Sequence, residues 1–154
     1  MAVMQHSDVR ELKQRGDVDG LIEVLHSRHE LGRTREDAAT ALGGMGGARA
    51  VEPLAIALRD PEWEVRLSAV LSLGGIGDPR AVEPLIAVLR DDESVVRAAA
   101  TRVLGELGDP RAIEGLIAAL EDTSSDVRWY AANYLPAFGG PDVERALVEY
   151  RASR

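Results

Sequence analysis

Gly46-Gly47-Ala48-Arg49-Ala50-Val51-Glu52-Pro53-Leu54 returns as Gly77-Asp78-Pro79-Arg80-Ala81-Val82-Glu83-Pro84-Leu85, and again as Gly108-Asp109-Pro110-Arg111-Ala112-Ile113-Glu114-Gly115-Leu116. The step from Gly46 to Gly77 to Gly108 is 31 residues each time. A fixed period of this length marks a solenoid, because each unit can bury its apolar face only against its neighbours. Such a stack offers a surface for binding, and the period alone does not name what is bound.

The unit from Gly77 to Leu107 reads as a pair of helices. Asp78 can cap a first helix, A, whose opening position is Pro79, a residue tolerated there because its missing N–H would be unpaired anyway. Val82, Leu85, Ile86 and Leu89 recur at three- and four-residue spacing and form its core stripe. Pro84, matched by Pro53 and replaced by Gly115, is expected to bend helix A in its second turn. Arg90-Asp91-Asp92 turns the chain, with Asp91 as cap of a second helix, B, whose inward row is Val96, Ala100, Val103, Leu104 and Leu107. Gly108 stops it. The neighbouring units repeat that row as Val65, Ala69, Leu73, Ile76 and as Val127, Ala131, Leu135, Phe138.

A more divergent unit precedes these. Asp17 to His26 supplies its helix A through Leu21, Ile22, Val24 and Leu25, while Arg35, Ala38, Leu42, Gly43 and Gly46 stand one period before Arg66, Ala69, Leu73, Gly74 and Gly77. Ser27 to Thr34 form a longer loop between. Ser7 to Gln14 and Asp142 to Tyr150 read as short terminal helices, the latter with Val143, Ala146, Leu147 and Tyr150 on one side; an open stack needs such caps. The expected fold is an all-α, α-α superhelix of about four helical hairpins in one domain. Its divisions are an N-terminal cap over 1–16, repeats near 17–46, 47–77, 78–108 and 109–139, and a capping helix over 140–154.

The run Gly77 to Asp91, followed by Val95-Val96-Arg97-Ala98-Ala99-Ala100 and Leu104-Gly105-Glu106-Leu107-Gly108, resembles the short HEAT-like repeats of the phycobilin-lyase type. The resemblance covers Gly46 to Gly139 and extends back to Asp17. It implies the fold; an activity has to be argued from a site. Trp129-Tyr130-Ala131-Ala132-Asn133-Tyr134-Leu135 also resembles aromatic-rich segments of bilin lyase subunits.

Composition narrows the function classes. A formal net charge of −8 over 154 residues opposes a phosphate-tracking groove, since nucleic-acid affinity rests on Lys and Arg neutralising the backbone. The sequence has no cysteine, which removes disulfides, thiolate metal sites and thiol catalysis. No stretch approaches the roughly 18 apolar residues of a membrane span, and Met1 to Ser7 lack the apolar run of a signal peptide. A cytoplasmic location is expected.

Charged pairs recur in the turns: Asp60 with Arg66, Asp91 with Arg97, Asp122 with Arg128. A residue needed once for chemistry would not be needed in every unit, so these read as a structural ladder that caps helix B and ties adjacent turns together. The resemblance implies the same role. The HEAT-repeat deoxyhypusine hydroxylases hold two irons through His-Glu pairs directly after the helix B arginine. Here the matching positions are Glu36-Asp37, Leu67-Ser68, Ala98-Ala99 and Trp129-Tyr130, so no unit carries that motif. His6, His26 and His29 are dispersed, and neither a metal, a cofactor nor a catalytic residue is expected.

What remains is the free face of helix B. The small core residues Ala69, Ala100 and Ala131, beside Gly74 and Gly105, let B helices approach more closely than A helices, so the stack is expected to curve with the B helices inside. Glu36, Asp37 and Thr40, then Trp63, Glu64, Leu67, Ser68 and Leu71, then Val95, Ala98 and Arg102, and finally Asp126, Trp129, Tyr130 and Asn133 would line the concavity. These positions vary between units while the core rows barely change: Leu67 becomes Ala98 and then Trp129. Exposed apolar residues grouped in this way mark an interaction site, and Trp is enriched among interface anchors.

The residues thus point to a non-enzymatic scaffold that takes another protein or peptide in its concave face, acidic residues steering a basic or neutral partner. Two alternatives are a subunit of a bilin lyase or isomerase acting on a chromophore-carrying protein, and a self-associating module or homodimer. A bilin's propionates would want several arginines in the groove. Only Arg102 is placed there, with Arg33 at the edge.

Overall fold

The computed structural model describes residues 8–154; Ser7, the expected start of the first helix, and His6 lie outside them. Every regular element among the described residues is helical. They form two compact units, one ending at Ile76 and the other spanning Gly77–Arg154.

In the first unit α1 (Val9–Arg15) precedes α2 (Val18–His26) and α3 (Gly32–Met45), and a 3-10 turn (Gly47–Ala50) leads into α4 (Val51–Ala57) and α5 (Trp63–Ile76). Asp17 caps α2 by accepting the Gly20 N–H at 2.8 Å. The A helices α2 and α4 pack together, as do the B helices α3 and α5. Leu21, Leu25, Leu42, Leu54, Val65 and Leu73 fill the space between. The loop before α3 is shorter than expected, because the helix already begins at Gly32.

The second unit repeats the scheme. A 3-10 turn (Pro79–Ala81) leads into α6 (Val82–Val88), which pairs with α7 (Ser94–Leu107). Another (Pro110–Ala112) leads into α8 (Ile113–Ala119), which pairs with α9 (Ser125–Tyr134). A short turn (Leu135–Ala137) then joins α10 (Pro141–Ala152), which packs on α8. Leu85, Val96, Ala100, Leu104, Leu116, Ala131 and Leu135 are completely buried. The last members of the expected B rows, Ile76, Leu107 and Phe138, are only half-buried, as is Leu89.

Pro84 does not bend a helix. The chain enters through the 3-10 turn capped by Asp78, and α6 begins only at Val82, so Pro84 lies in its first turn, where no N–H is demanded of it. Pro53 has the same place in α4. Gly115 occupies that position in α8, and there a Cβ would run into Leu89.

Asp91 holds the turn rather than the helix. It accepts the Glu93 N–H at 2.9 Å, and the N-cap of α7 is Glu93 itself. Asp60 and Asp122 likewise accept from Glu62 and Ser124. At the other end of α7, Gly108 takes the left-handed φ of 66° that closes the helix.

The charged ladder runs differently from the spacing within one turn. Arg97 Nη1 donates to the Asp91 and Asp92 carbonyls of its own turn, while Nε and Nη2 both donate to the Asp122 carboxylate, each at 3.0 Å. Arg35 binds the Glu30 carbonyl and grips Asp60 by the same fork at 2.8 and 2.9 Å. Arg66 binds the carbonyls of Asp60 and Pro61. In both forks the side chains are nearly closed to solvent. Burial pushes the Asp122 carboxyl up, but the hydrogen bonds from Arg97 and the Ser124 N–H, with the charges of Arg97 and Arg128, outweigh it and hold it below the usual range.

Candidate functional site

In the second unit the exposed side of the B helices carries aromatic and charged groups in contact. Trp129 on α9 is 58% exposed and Val95 on α7 is 45% exposed, large values for apolar side chains. The Trp129 ring meets Tyr130 edge-on with centroids 5.1 Å apart, and Tyr130 stacks on Tyr134 at 6.5 Å. Tyr130, Tyr134 and Arg102 are half-buried, and Asn133 is exposed.

Glu106 organises the polar edge of this patch. One of its oxygens accepts from Arg102 Nη1 at 2.8 Å and from the Tyr134 hydroxyl at 3.2 Å. Burial, followed by the Glu106 hydrogen bond and charge, pushes the Tyr134 hydroxyl pKa up. Asn133 donates to the Trp129 carbonyl at 2.7 Å, which turns its amide back along α9. Tyr134 is seated by Gly105, where a Cβ would collide with the ring. Glu106 escaped the sequence reading, although its four-residue spacing from Arg102 is that of a helical ion pair.

Ala98 does not join the free face. It is 8% exposed, since a single methyl does not reach past larger neighbours, whereas Trp129 one period later does. Val95, Arg102, Trp129, Tyr130 and Asn133 keep some or much of their surface open.

In the first unit the B face is made by α3 and α5. Leu71 and Trp63 are 42% and 38% exposed; Asp37 is exposed, and Glu36, Glu64 and Leu67 are half-buried. The two helices are drawn together where Gly43 leaves room for Ser72, whose hydroxyl donates to the Ala39 carbonyl at 2.9 Å. In the first unit the close approach is thus made at Gly43 and Ser72 rather than at the expected Ala69 and Gly74, while in the second Gly105, one of the expected small residues, receives Tyr134.

No group of His, Asp and Glu among the described residues is arranged to hold a metal ion. His26 instead makes a 3.0 Å hydrogen bond between its Nε2 and the Pro53 carbonyl, tying α2 to α4. No helix among them is long and apolar enough to cross a membrane.

Repeated A and B helices, linked by buried Arg–Asp forks, are matched by the family model for HEAT repeats over residues 18–104 and 82–154. The chain belongs to the HEAT-repeat family. No curated protein matches this HEAT-repeat chain significantly. Among solved structures, the CpcE and CpcF complex of phycocyanin lyase from Nostoc sp. PCC7120 contains a chain 26% identical, with a TM-score of 0.69 over 92% of this sequence. The HEAT-repeat chain spans 62% of that protein's length. Computationally designed armadillo repeat proteins for modular peptide recognition share the fold at 20% identity and a TM-score of 0.68, over 94% of this chain and 74% of theirs. A designed armadillo repeat protein in complex with the peptide (KR)4 does so at 19% identity and 0.66, over 97% and 76%. The recurrent resemblance to phycobilin-lyase repeats and the α-α superhelix class are thereby established.

Proposed function

We propose that the chain is a non-enzymatic scaffold that binds another protein or a peptide on the exposed faces of its B helices. The observation that carries this reading is Trp129, a large ring left more than half open yet fixed by Tyr130 and by its place on α9. A ring held in position loses little side-chain freedom on binding, and aromatic anchors of this kind dominate interface energies. Val95 on α7, and Trp63 and Leu71 in the first unit, are further apolar side chains left exposed on B helices. Asp37, Glu36 and Glu64 on the B helices of the first unit, and Asp126 on α9 of the second, add negative charge to these faces, which favours a basic or neutral segment. The (KR)4 complex is a precedent for a basic peptide on a related architecture.

The likeness to a phycocyanin lyase chain supports a second reading, a subunit acting on a chromophore-carrying protein. Arg102, the arginine such a site would turn toward propionates, is engaged by Glu106, and this weighs toward the scaffold. Affinity capture from the native organism with wild-type and Trp129→Ala baits tests the proposal. A protein retained by the first and lost from the equally folded second supports it; identical captures contradict it.

A further inference from the structure

Arg128 repeats the ladder arginine without its aspartate. Its Nη1 donates to the carbonyls of Asp122 and Thr123 at 2.8 and 3.1 Å, as Arg97 Nη1 does to Asp91 and Asp92 at 2.8 and 3.2 Å. One corner of the guanidinium is therefore fixed in the same way. The other edge differs: Arg128 Nε is buried with no hydrogen-bond partner, where Arg97 and Arg35 each close on a carboxylate. The reason lies in α10. One period after Asp122 stands Ser153, and the helix continues through Arg151 and Ala152 where the preceding unit turns at Leu120 and Glu121. The Ser153 hydroxyl goes to the Tyr150 carbonyl of its own helix.

We propose that the Nε and Nη2 edge of Arg128 is a receptor for a carboxylate supplied from outside the described fold. A buried N–H without an acceptor is costly, and a charged carboxylate is the acceptor that removes the cost most fully. The planar fork matches two oxygens of one carboxyl group, as both filled rungs show at 2.8 to 3.0 Å. The same end of the chain leaves Val148 64% exposed, although Ile117 and Ile86, one and two periods earlier, are half-buried. An acidic side chain on a docking protein segment would meet both features; a free carboxylate would meet the first.

The test follows the side-chain Nε–H resonances of Arg35, Arg97 and Arg128 in the 15N-labelled full chain near neutral pH and at constant ionic strength. Sodium acetate and a blocked aspartate, N-acetyl-aspartate N-methylamide, are titrated separately. The Arg128 resonance is expected to move saturably toward the Arg97 position, while Arg35 and Arg97 stay. Saturation by the blocked aspartate at several-fold lower concentration assigns the site to protein side chains; equal saturation assigns it to free carboxylates. A carboxylate-dependent rise in melting temperature, over equal chloride, should be lost in Arg128→Lys, which keeps the charge and removes the fork. A drift no larger than that of exposed Arg59, or a stronger saturable response to inorganic phosphate, would overturn the proposal.

Discussion

Arg97 and Asp122, 25 residues apart, are joined by two hydrogen bonds of 3.0 Å, Nε to Oδ2 and Nη2 to Oδ1, and the pair is nearly closed to solvent. The arginine is simultaneously held by carbonyls of its own turn. One side chain thus fixes the entrance of α7 and attaches it to the turn before α9. Removing one partner of a buried pair leaves an uncompensated charge, which costs about 3–5 kcal/mol. Asp122→Asn should therefore lower unfolding free energy by about 3 kcal/mol in denaturant titration. Asp142→Asn, whose exposed ion pair with Arg145 spans 3.6 Å, should leave stability nearly unchanged.

Glycines of the B helices separate by what surrounds them. Nothing lies within 4 Å of a Cβ built on Gly44, whereas one on Gly105 would strike the Tyr134 ring. Gly44→Ala should stabilise by about 0.5–1 kcal/mol through helix propensity. Gly105→Ala should destabilise by about 1–3 kcal/mol through overpacking. Thermal melts of the two variants should move in opposite directions.

Asp109 provides a titration to follow. The side-chain hydrogen bonds from Arg111, then the Arg111 backbone N–H, lower its pKa to about 2. Its ordinary value in an unfolded chain is near 4. A carboxyl depressed on folding contributes stability that is full above the ordinary value and disappears as pH falls through the depressed one. The contribution should be lost between about pH 4 and pH 2, and carboxyl NMR should place the Asp109 midpoint near the lower end. A midpoint near 4 would mean that Arg111 does not hold it.

Burial also ranks the leucines. Leu104 is completely buried and Leu89 half-buried. Leu104→Ala should cost about 2–5 kcal/mol, lost transfer energy and cavity together, and Leu89→Ala distinctly less. Equal losses in denaturant unfolding would place Leu89 deeper than its exposure indicates.

The helical hairpins were legible because period and apolar spacing depend on local chemistry. Val96, Ala100 and Leu104 had to share one face. The ladder's pairing was not legible, because a motif repeated every 31 residues makes a spacing of six from Asp to Arg inseparable from one of 25 from Arg to Asp. Only geometry decides that Asp122 serves Arg97. Pro84 misled for a related reason: the sequence marks where a helix can begin, but a 3-10 turn before Val82 shifts the α-helical start. On the B face, Trp129 stood out by its cost in water, while Ala98 depended on the reach of its neighbours, which sequence spacing does not contain.

Trp129 is the most exposed aromatic ring on the B helices, where we propose that a partner binds. The direct measurement is the affinity of a captured partner, by calorimetry, for wild type, Trp129→Ala and Leu104→Ala, with melting temperatures recorded alongside. Trp129→Ala should weaken binding by about 2 kcal/mol or more, roughly thirtyfold, while its melting temperature falls far less than that of Leu104→Ala. Unchanged affinity in a folded Trp129→Ala protein would contradict the account and remove the B face as the site of recognition.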